Sequence, residues 1–240
     1  MQHPSPAPDA ERSILGSGIR SDLVEAHRGV AAAVARPGTW WTGPERHAIA
    51  SEVRRALANT DVPPWMAPSS CDPDHPAAIS ADHPLPAAAI DAVWRITNHP
   101  GTLTHNWYQS IVDGLPSAEH YVELVSVVAM VCSIDRFAAV MDLAPIRLAV
   151  PEAGEPTQER IDDTAVRNHW VPTAPVNGPN VLKALSAVSA DGEARQALFS
   201  SQYLPAGALM GDLDWGRDTI DRRQIELVAA QTSFVNECFY

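Results

Sequence analysis

The helical spacing of apolar residues, which two proline-rich stretches interrupt, most constrains how this chain can fold. Apolar residues recur at three- and four-residue steps in nine segments, which predicts amphipathic helices. The segments are 21–35, 42–57, 87–96, 104–112, 117–143, 158–168, 180–189, 190–204 and 220 onward. Prolines interrupt the pattern over 60–86 and 144–156, where we expect irregular structure. No segment alternates convincingly like a strand, although 146–150 could pair locally. The sequence therefore predicts an all-α fold.

Size and charge limit the possible function. The chain has 240 residues, 45% of them hydrophobic, which is enough for one large core or two small fused ones. Its formal net charge of −12 repels phosphate backbones and anionic lipid headgroups. The most apolar segment, 121–132, is shorter than the roughly 20 residues that a bilayer core requires. We therefore expect no nucleic-acid partner and no membrane partner.

Cysteine usage indicates the compartment. Three cysteines, at positions 71, 132 and 238, do not make the disulfide framework of a small secreted fold. The opening residues 1–8 are polar and broken by prolines, unlike a secretory signal. A reducing compartment fits this pattern, so we expect a soluble cytoplasmic protein.

A short motif occurs twice, about half a chain apart. Tyr121–Val125 reads YVELV and Gln224–Val228 reads QIELV, and each follows a polar turn and begins a predicted helix. Similar segments at such a separation indicate an internal repeat. We therefore divide the chain into an N-terminal tail and helix over 1–39, a first, degenerate helical repeat over 40–150, and a second repeat over 151–240.

The end of the second repeat carries a family resemblance. Glu226 precedes Cys238 by twelve positions, in a run that ends Cys238-Phe239-Tyr240. This segment resembles the alkylhydroperoxidase D / carboxymuconolactone decarboxylase superfamily, in which a glutamate stands twelve positions before a Cys-x-x-Cys-x-x-x-His motif. Two upstream segments, 41–46 and 103–108, also look like the longer, duplicated members. The resemblance covers most of residues 40–240, but only the final fifteen residues carry its chemistry.

The resemblance implies a fold, an activity and two catalytic residues. The fold is an alkylhydroperoxidase D-like helical bundle with two similar halves. The activity is peroxidase-like (peroxiredoxin activity): a thiol or selenol oxidoreductase with antioxidant function reduces hydroperoxides and is restored by a thiol reductant. In the family the first cysteine resolves, the second attacks the peroxide, and the glutamate and histidine relay its proton. Carried over to this chain, the catalytic residues are Cys238 and Glu226. We expect no cofactor and no metal, and a homodimer or higher homo-oligomer.

The sequence departs from the family motif after Tyr240. The second cysteine would be residue 241, and the histidine would lie four positions further on. Three hypotheses compete: a truncated chain, a degenerate relative without redox activity, or a selenocysteine at position 241, whose codon is usually read as a stop. The nucleotide sequence past codon 240 distinguishes them.

The spacing of Glu226 and Cys238 predicts an interrupted helix. On one unbroken helix, twelve positions correspond to about 18 Å of rise, so the two side chains could not meet. Thr232, Ser233 and Asn236 favour caps and turns. We therefore predict a kink there, with Ser233 or Asn236 capping a new helical turn that contains Cys238. Such a helix start would stabilise the thiolate.

The first repeat lacks the thiol pair. The position that corresponds to Cys238 is Asp135, and Cys132 lies in a strongly apolar helix, where we expect a small buried hydrophobe. Glu123 corresponds to Glu226. It is either a remnant of the relay carboxylate or, as we favour, a buried acid satisfied by a partner such as Arg136 or His120.

Other interpretations remain open. The loop around Cys71, His75 and His83 collects sulfur, oxygen and nitrogen donors, but without metal-site spacing we favour a solvated acidic loop. Two alternatives to the redox function are a non-redox enzyme resembling the decarboxylases and dehalogenases of this scaffold, and a non-catalytic assembly protein. A polar pocket remote from Cys238 would favour the first alternative.

Overall fold

The protein is described by a computed structural model that covers Ile14 and residues 18–177, 180–205, 207–208, 214–217 and 219–236. Within these residues the regular structure is helical. The helices are α1 (Ser21–Ala33), α2 (Gly43–Ala58), α3 (Ala87–Asn98), α4 (His105–Asp113), α5 (Ala118–Val140), α6 (Asn180–Lys183), α7 (Gly192–Gln202) and α8 (Arg222–Val235). No β-strand forms in the described residues, where only isolated bridges such as Ala165 with Thr173 occur. The predicted all-α class is confirmed.

Helix α5 is the centre of the fold, as its composition predicts. Its buried side chains, among them Leu124, Val127 and Ile134, lie on most of its circumference. Helices α2 and α3 pack against it and against each other, and α1 packs against α7. One cluster of buried residues draws on α1 to α5 and α7. Because apolar residues surround α5, it is stable only when other helices cover it.

Helix starts follow the capping residues in the sequence. The Thr42 hydroxyl accepts the Glu45 amide of α2 while the Glu45 carboxylate accepts the Thr42 amide, a complete capping box. Asp221 and Gln224 form the same reciprocal pair at the start of α8. These caps satisfy backbone donors that would otherwise have no intrahelical partner, which fixes where α2 and α8 begin.

The proline-rich stretch over 60–86 is an ordered loop, as predicted. Arg55 on α2 donates hydrogen bonds to the carbonyls of Pro76 and Ala78, which fasten the loop to the helix. Ala77 and Leu85 are buried in the main core. The loop therefore contributes apolar packing although its prolines prevent a long helix.

Two predicted helices are wrong or shortened. Residues 158–168 form no helix, and Gln158 and Asp163 take positive φ angles of 53° and 57°. The amides of Thr157 and Gln158 donate instead to the carbonyls of Gly38 and Thr39, so this segment follows the 35–39 loop. The segment predicted as a helix over 180–189 is helical only over Asn180–Lys183.

Candidate functional site

Of the two predicted catalytic residues, Glu226 is described and Cys238 lies outside the described residues. Glu226 stands on the second turn of α8 with its side chain 44% exposed. Its carboxylate accepts hydrogen bonds from the Tyr203 hydroxyl at 2.8 Å and from Arg222 Nε at 2.6 Å. Two donors thus hold the carboxylate in one orientation while solvent still reaches it.

Tyr203 links Glu226 to the interior. Burial raises the pKa of the Tyr203 hydroxyl, and the hydrogen bond to Glu226 raises it further. The phenol therefore keeps its proton at neutral pH and acts as the donor. Tyr203 also lines a cavity of about 410 Å³ between α5 and α7. The Glu226 carboxylate thus lies one hydrogen bond away from a cavity wall.

The predicted kink at Thr232 and Ser233 is wrong. Helix α8 runs unbroken to Val235, and the Thr232 hydroxyl bonds the Val228 carbonyl within the helix instead of capping a new turn. Asn236 follows as the C-cap with φ −87° and ψ 7°, so the last helical residue, Val235, stands three positions before Cys238 in the sequence. The predicted interruption therefore falls later, at the end of the helix.

Chain geometry limits how Glu226 and Cys238 could meet. The nine steps from Glu226 to Val235 correspond to about 13.5 Å of helical rise. Three further residues span at most about 10 Å when extended. A contact between the carboxylate and the thiol within one chain therefore requires the chain to reverse direction at Asn236.

Sequence reasoning missed a buried ion cluster in the core. Arg46 on α2 lies between Glu123 on α5 and Asp191, and all three side chains are almost completely buried. Arg46 Nη2 donates to Asp191 Oδ1 at 2.5 Å, and Nη1 donates to Glu123 Oε1. Burial lowers the pKa of Arg46, but the two carboxylates outweigh it and raise the pKa. The guanidinium therefore stays charged and ties three segments together.

Glu123 has partners other than the predicted ones. It pairs with Arg46 and accepts the backbone amide of Trp40 at 2.6 Å, not Arg136 or His120. A Cβ atom at Gly38 would overlap its carboxylate, so this position requires glycine. The favoured interpretation of Glu123 as a buried, satisfied acid is confirmed.

Arg136 and His120 have other contacts. Arg136 donates to the Thr97 carbonyl at 3.0 Å. The His120 ring contacts the rings of Trp40 and Trp41. Neither side chain is available to the Glu123 carboxylate, which explains why the predicted pairs do not form.

Asp135, which corresponds to Cys238, is also structural. Its carboxylate accepts two hydrogen bonds from Arg54, at 2.7 and 2.9 Å. Glu123 and Asp135 lie twelve positions apart on the unbroken helix α5, and each pairs with an arginine of α2. On α5, this spacing therefore serves the contact between two helices.

The other two cysteines are poor nucleophiles. Burial raises the pKa of the Cys132 thiol, against the opposing effect of Thr97 and Arg136. Burial also raises the pKa of Cys71, with Asp91 and Asp72 adding to it. Both sulfurs are therefore largely protonated at neutral pH. Because the thiolate is the reactive form, both thiols react slowly.

In the part of the chain that the structure describes, no group of three or more His, Cys, Asp and Glu side chains is arranged to hold a metal ion. No described helix has both the length and the apolar content needed to cross a bilayer.

Comparison of the chain with protein-family models, with curated proteins and with solved structures finds no match.

Proposed function

We propose that the chain is a peroxidase-like thiol oxidoreductase that reduces hydroperoxides. In this proposal Cys238 supplies a redox thiol and Glu226 transfers the proton. The resemblance of the segment 226–240 to the alkylhydroperoxidase D superfamily motivates both roles. The observation that carries the proposal is the Glu226 carboxylate, which is oriented by Tyr203 and Arg222, open to solvent and adjacent to a cavity wall.

The proposed reaction has three steps. A thiolate attacks the distal oxygen of a hydroperoxide, the O–O bond breaks, and the alkoxide leaves as an alcohol. Glu226 accepts the proton of the attacking thiol and delivers it to the alkoxide. The resulting sulfenic acid condenses with a second thiol, which forms an S–S bond and releases water. A dithiol reductant then restores the thiols by exchange and leaves as its own disulfide.

In the family the attacking chalcogen corresponds to position 241 and Cys238 resolves. In this proposal Cys238 is the reacting thiol of the motif, and an external dithiol takes the second role. We therefore expect slow turnover. The raised pKa values of Cys71 and Cys132 make these two thiols weak competitors.

Substitution of Cys238 tests the proposal. The rate of hydroperoxide consumption is measured with dithiothreitol as reductant, and sulfenic acid is trapped with dimedone and located by mass spectrometry. We expect Cys238→Ser to lower the rate at least tenfold and to remove the dimedone adduct, because the reactive thiol is lost.

The matched control replaces the other two thiols. A Cys71→Ser, Cys132→Ala double variant should keep the rate within about twofold of the parent, since neither thiol carries the reaction. Far-UV circular dichroism checks that each variant retains its helices. Undiminished turnover in Cys238→Ser, or adducts confined to Cys71 and Cys132, would contradict the proposal.

A second candidate is a non-redox enzyme on the same helical scaffold, of decarboxylase or dehalogenase type. It is favoured by the contact of Glu226 with Tyr203, because this places a carboxylate base beside a cavity without involving a thiol. Such an activity would survive Cys238→Ser and would be lost in Glu226→Gln.

A further inference from the structure

The cavity between α5 and α7 is mostly apolar. Ala129 and Met130 on α5 line one side, and Leu198 and Phe199 on α7 line the other. Its volume of about 410 Å³ lies within the range of roughly 300–1,000 Å³ that is typical of small-molecule pockets. Arg195 is the only charged side chain among the described residues that line it.

Arg195 forms no direct ion pair with a described carboxylate, although Asp191 and Glu123 act on its charge at longer range, Asp191 through the Ser126 hydroxyl. Its Nη1 donates to the Ser126 hydroxyl at 3.0 Å and its Nη2 donates to the Val188 carbonyl at 3.2 Å, which are both neutral acceptors. In the described part of the chain, no carboxylate oxygen lies within 4.0 Å of Arg195. The nearest candidate, Asp191, is already bound by Arg46 and Ser126.

This arrangement leaves a partly buried cation at the wall of an apolar cavity. Burial lowers the pKa of Arg195, Arg46 lowers it further, and Asp191 and Glu123 oppose both, so the guanidinium stays protonated at neutral pH. A buried charge is costly unless an opposite charge satisfies it. An anionic ligand would give the guanidinium a direct charged partner, and a hydrocarbon portion would cover the apolar walls.

We propose that the cavity binds an apolar organic monocarboxylate, with the carboxylate paired to Arg195 and the hydrocarbon chain against Met130, Leu198 and Phe199. A single guanidinium matches a single negative charge and can bind a carboxylate with two hydrogen bonds. A phosphate group, with more charge, would call for a further cation, and the described lining supplies none. The proposal concerns ligand binding and does not depend on the redox proposal for Cys238.

Neutral polar groups complete the site. Ser133 and Gln202 also line the cavity and can donate hydrogen bonds, whereas the Tyr203 hydroxyl already donates to Glu226. The formal net charge of −12 opposes unspecific binding of anions to the surface. Selective uptake of an anion must therefore come from the local field of Arg195.

Isothermal titration calorimetry with octanoate and with octanamide, its neutral analogue, tests the proposal on the full chain. We expect octanoate to bind at least tenfold more tightly than octanamide, and Arg195→Gln to abolish this preference. Arg195→Lys keeps the charge and should keep the preference in weakened form, because an ammonium lacks the bidentate geometry.

Two variants separate binding from folding. Arg147→Gln removes an exposed arginine elsewhere and should leave both affinities unchanged. Ala129 is exposed at the cavity wall, and in Ala129→Trp the larger side chain should fill the cavity. This variant should lower the affinity for both ligands while leaving Arg195 in place. The proposal is overturned if millimolar octanoate gives no binding heat, or if Arg195→Gln and Ala129→Trp bind it as tightly as the parent. Because peroxide turnover is measured separately, a failure here leaves the redox proposal standing.

Discussion

Helices α5 and α8 begin with the same pattern but differ in their surroundings. Tyr121–Val125 on α5 lies within the core, where Leu124 is 0% exposed. Gln224–Val228 on α8 lies at the surface, where the corresponding Leu227 is 70% exposed. Each segment contains a glutamate that pairs with an arginine: Glu123 with Arg46 and Glu226 with Arg222.

The difference shows how burial decides what such a glutamate can do. Glu123 is sealed between helices, and its carboxylate is used by Arg46 and the Trp40 amide. Glu226 keeps contact with solvent and with the Tyr203 hydroxyl. The first stabilises the fold and is closed to solvent, whereas the second stays open to solvent.

Substitution of Glu123 on α5 and of Glu226 on α8 should give the largest difference in the free energy of unfolding. Glu123→Ala leaves the Arg46 guanidinium buried with one partner fewer, so it should lower the free energy of unfolding by about 3–5 kcal/mol. Glu226→Ala breaks a partly exposed pair and should cost at most about 1 kcal/mol. Urea denaturation at neutral pH measures both. Equal losses for the two variants would show that burial does not separate their roles.

The paired leucines provide a smaller test. Leu124→Ala removes a fully buried side chain and should cost about 2–5 kcal/mol. Leu227→Ala should change the free energy of unfolding by less than about 0.5 kcal/mol, since its side chain is exposed. The same urea titrations measure the pair. A loss above 1.5 kcal/mol for Leu227→Ala, roughly a tenfold change in the folding equilibrium, would mean that α8 is covered in solution, as a homo-oligomer would cover it.

Much of the fold was predictable because its signals are local. The cap at Thr42 and the apolar spacing of α5 each lie within a few residues of sequence. The predicted helix over 158–168 is wrong because few of its residues can be buried. Ile161, Ala165 and Val166 are its aliphatic members, and of these Ala165 is exposed and Val166 is 60% exposed. Periodicity without an apolar face to bury does not stabilise a helix.

The ion cluster was not predictable in the same way. Arg46, Glu123 and Asp191 are separated by 77 and 68 positions, and only the tertiary structure brings them together. By contrast, the ion pair of Glu226 with Arg222 is local in the sequence, because Arg222 lies four positions before Glu226 on the same face of α8. The contact with Tyr203 again required the folded chain.

The most direct test of the account is the second-order rate constant for oxidation of Cys238 by a hydroperoxide, compared between the parent chain and Glu226→Gln at neutral pH. The glutamine keeps the size of the side chain and removes its proton transfer. We predict a fall of at least tenfold, within the range of roughly 10²–10⁴ that general acid–base catalysis contributes in efficient enzymes, at unchanged stability. An equal rate constant in the two chains would contradict the assignment of Glu226 as the proton-transfer group.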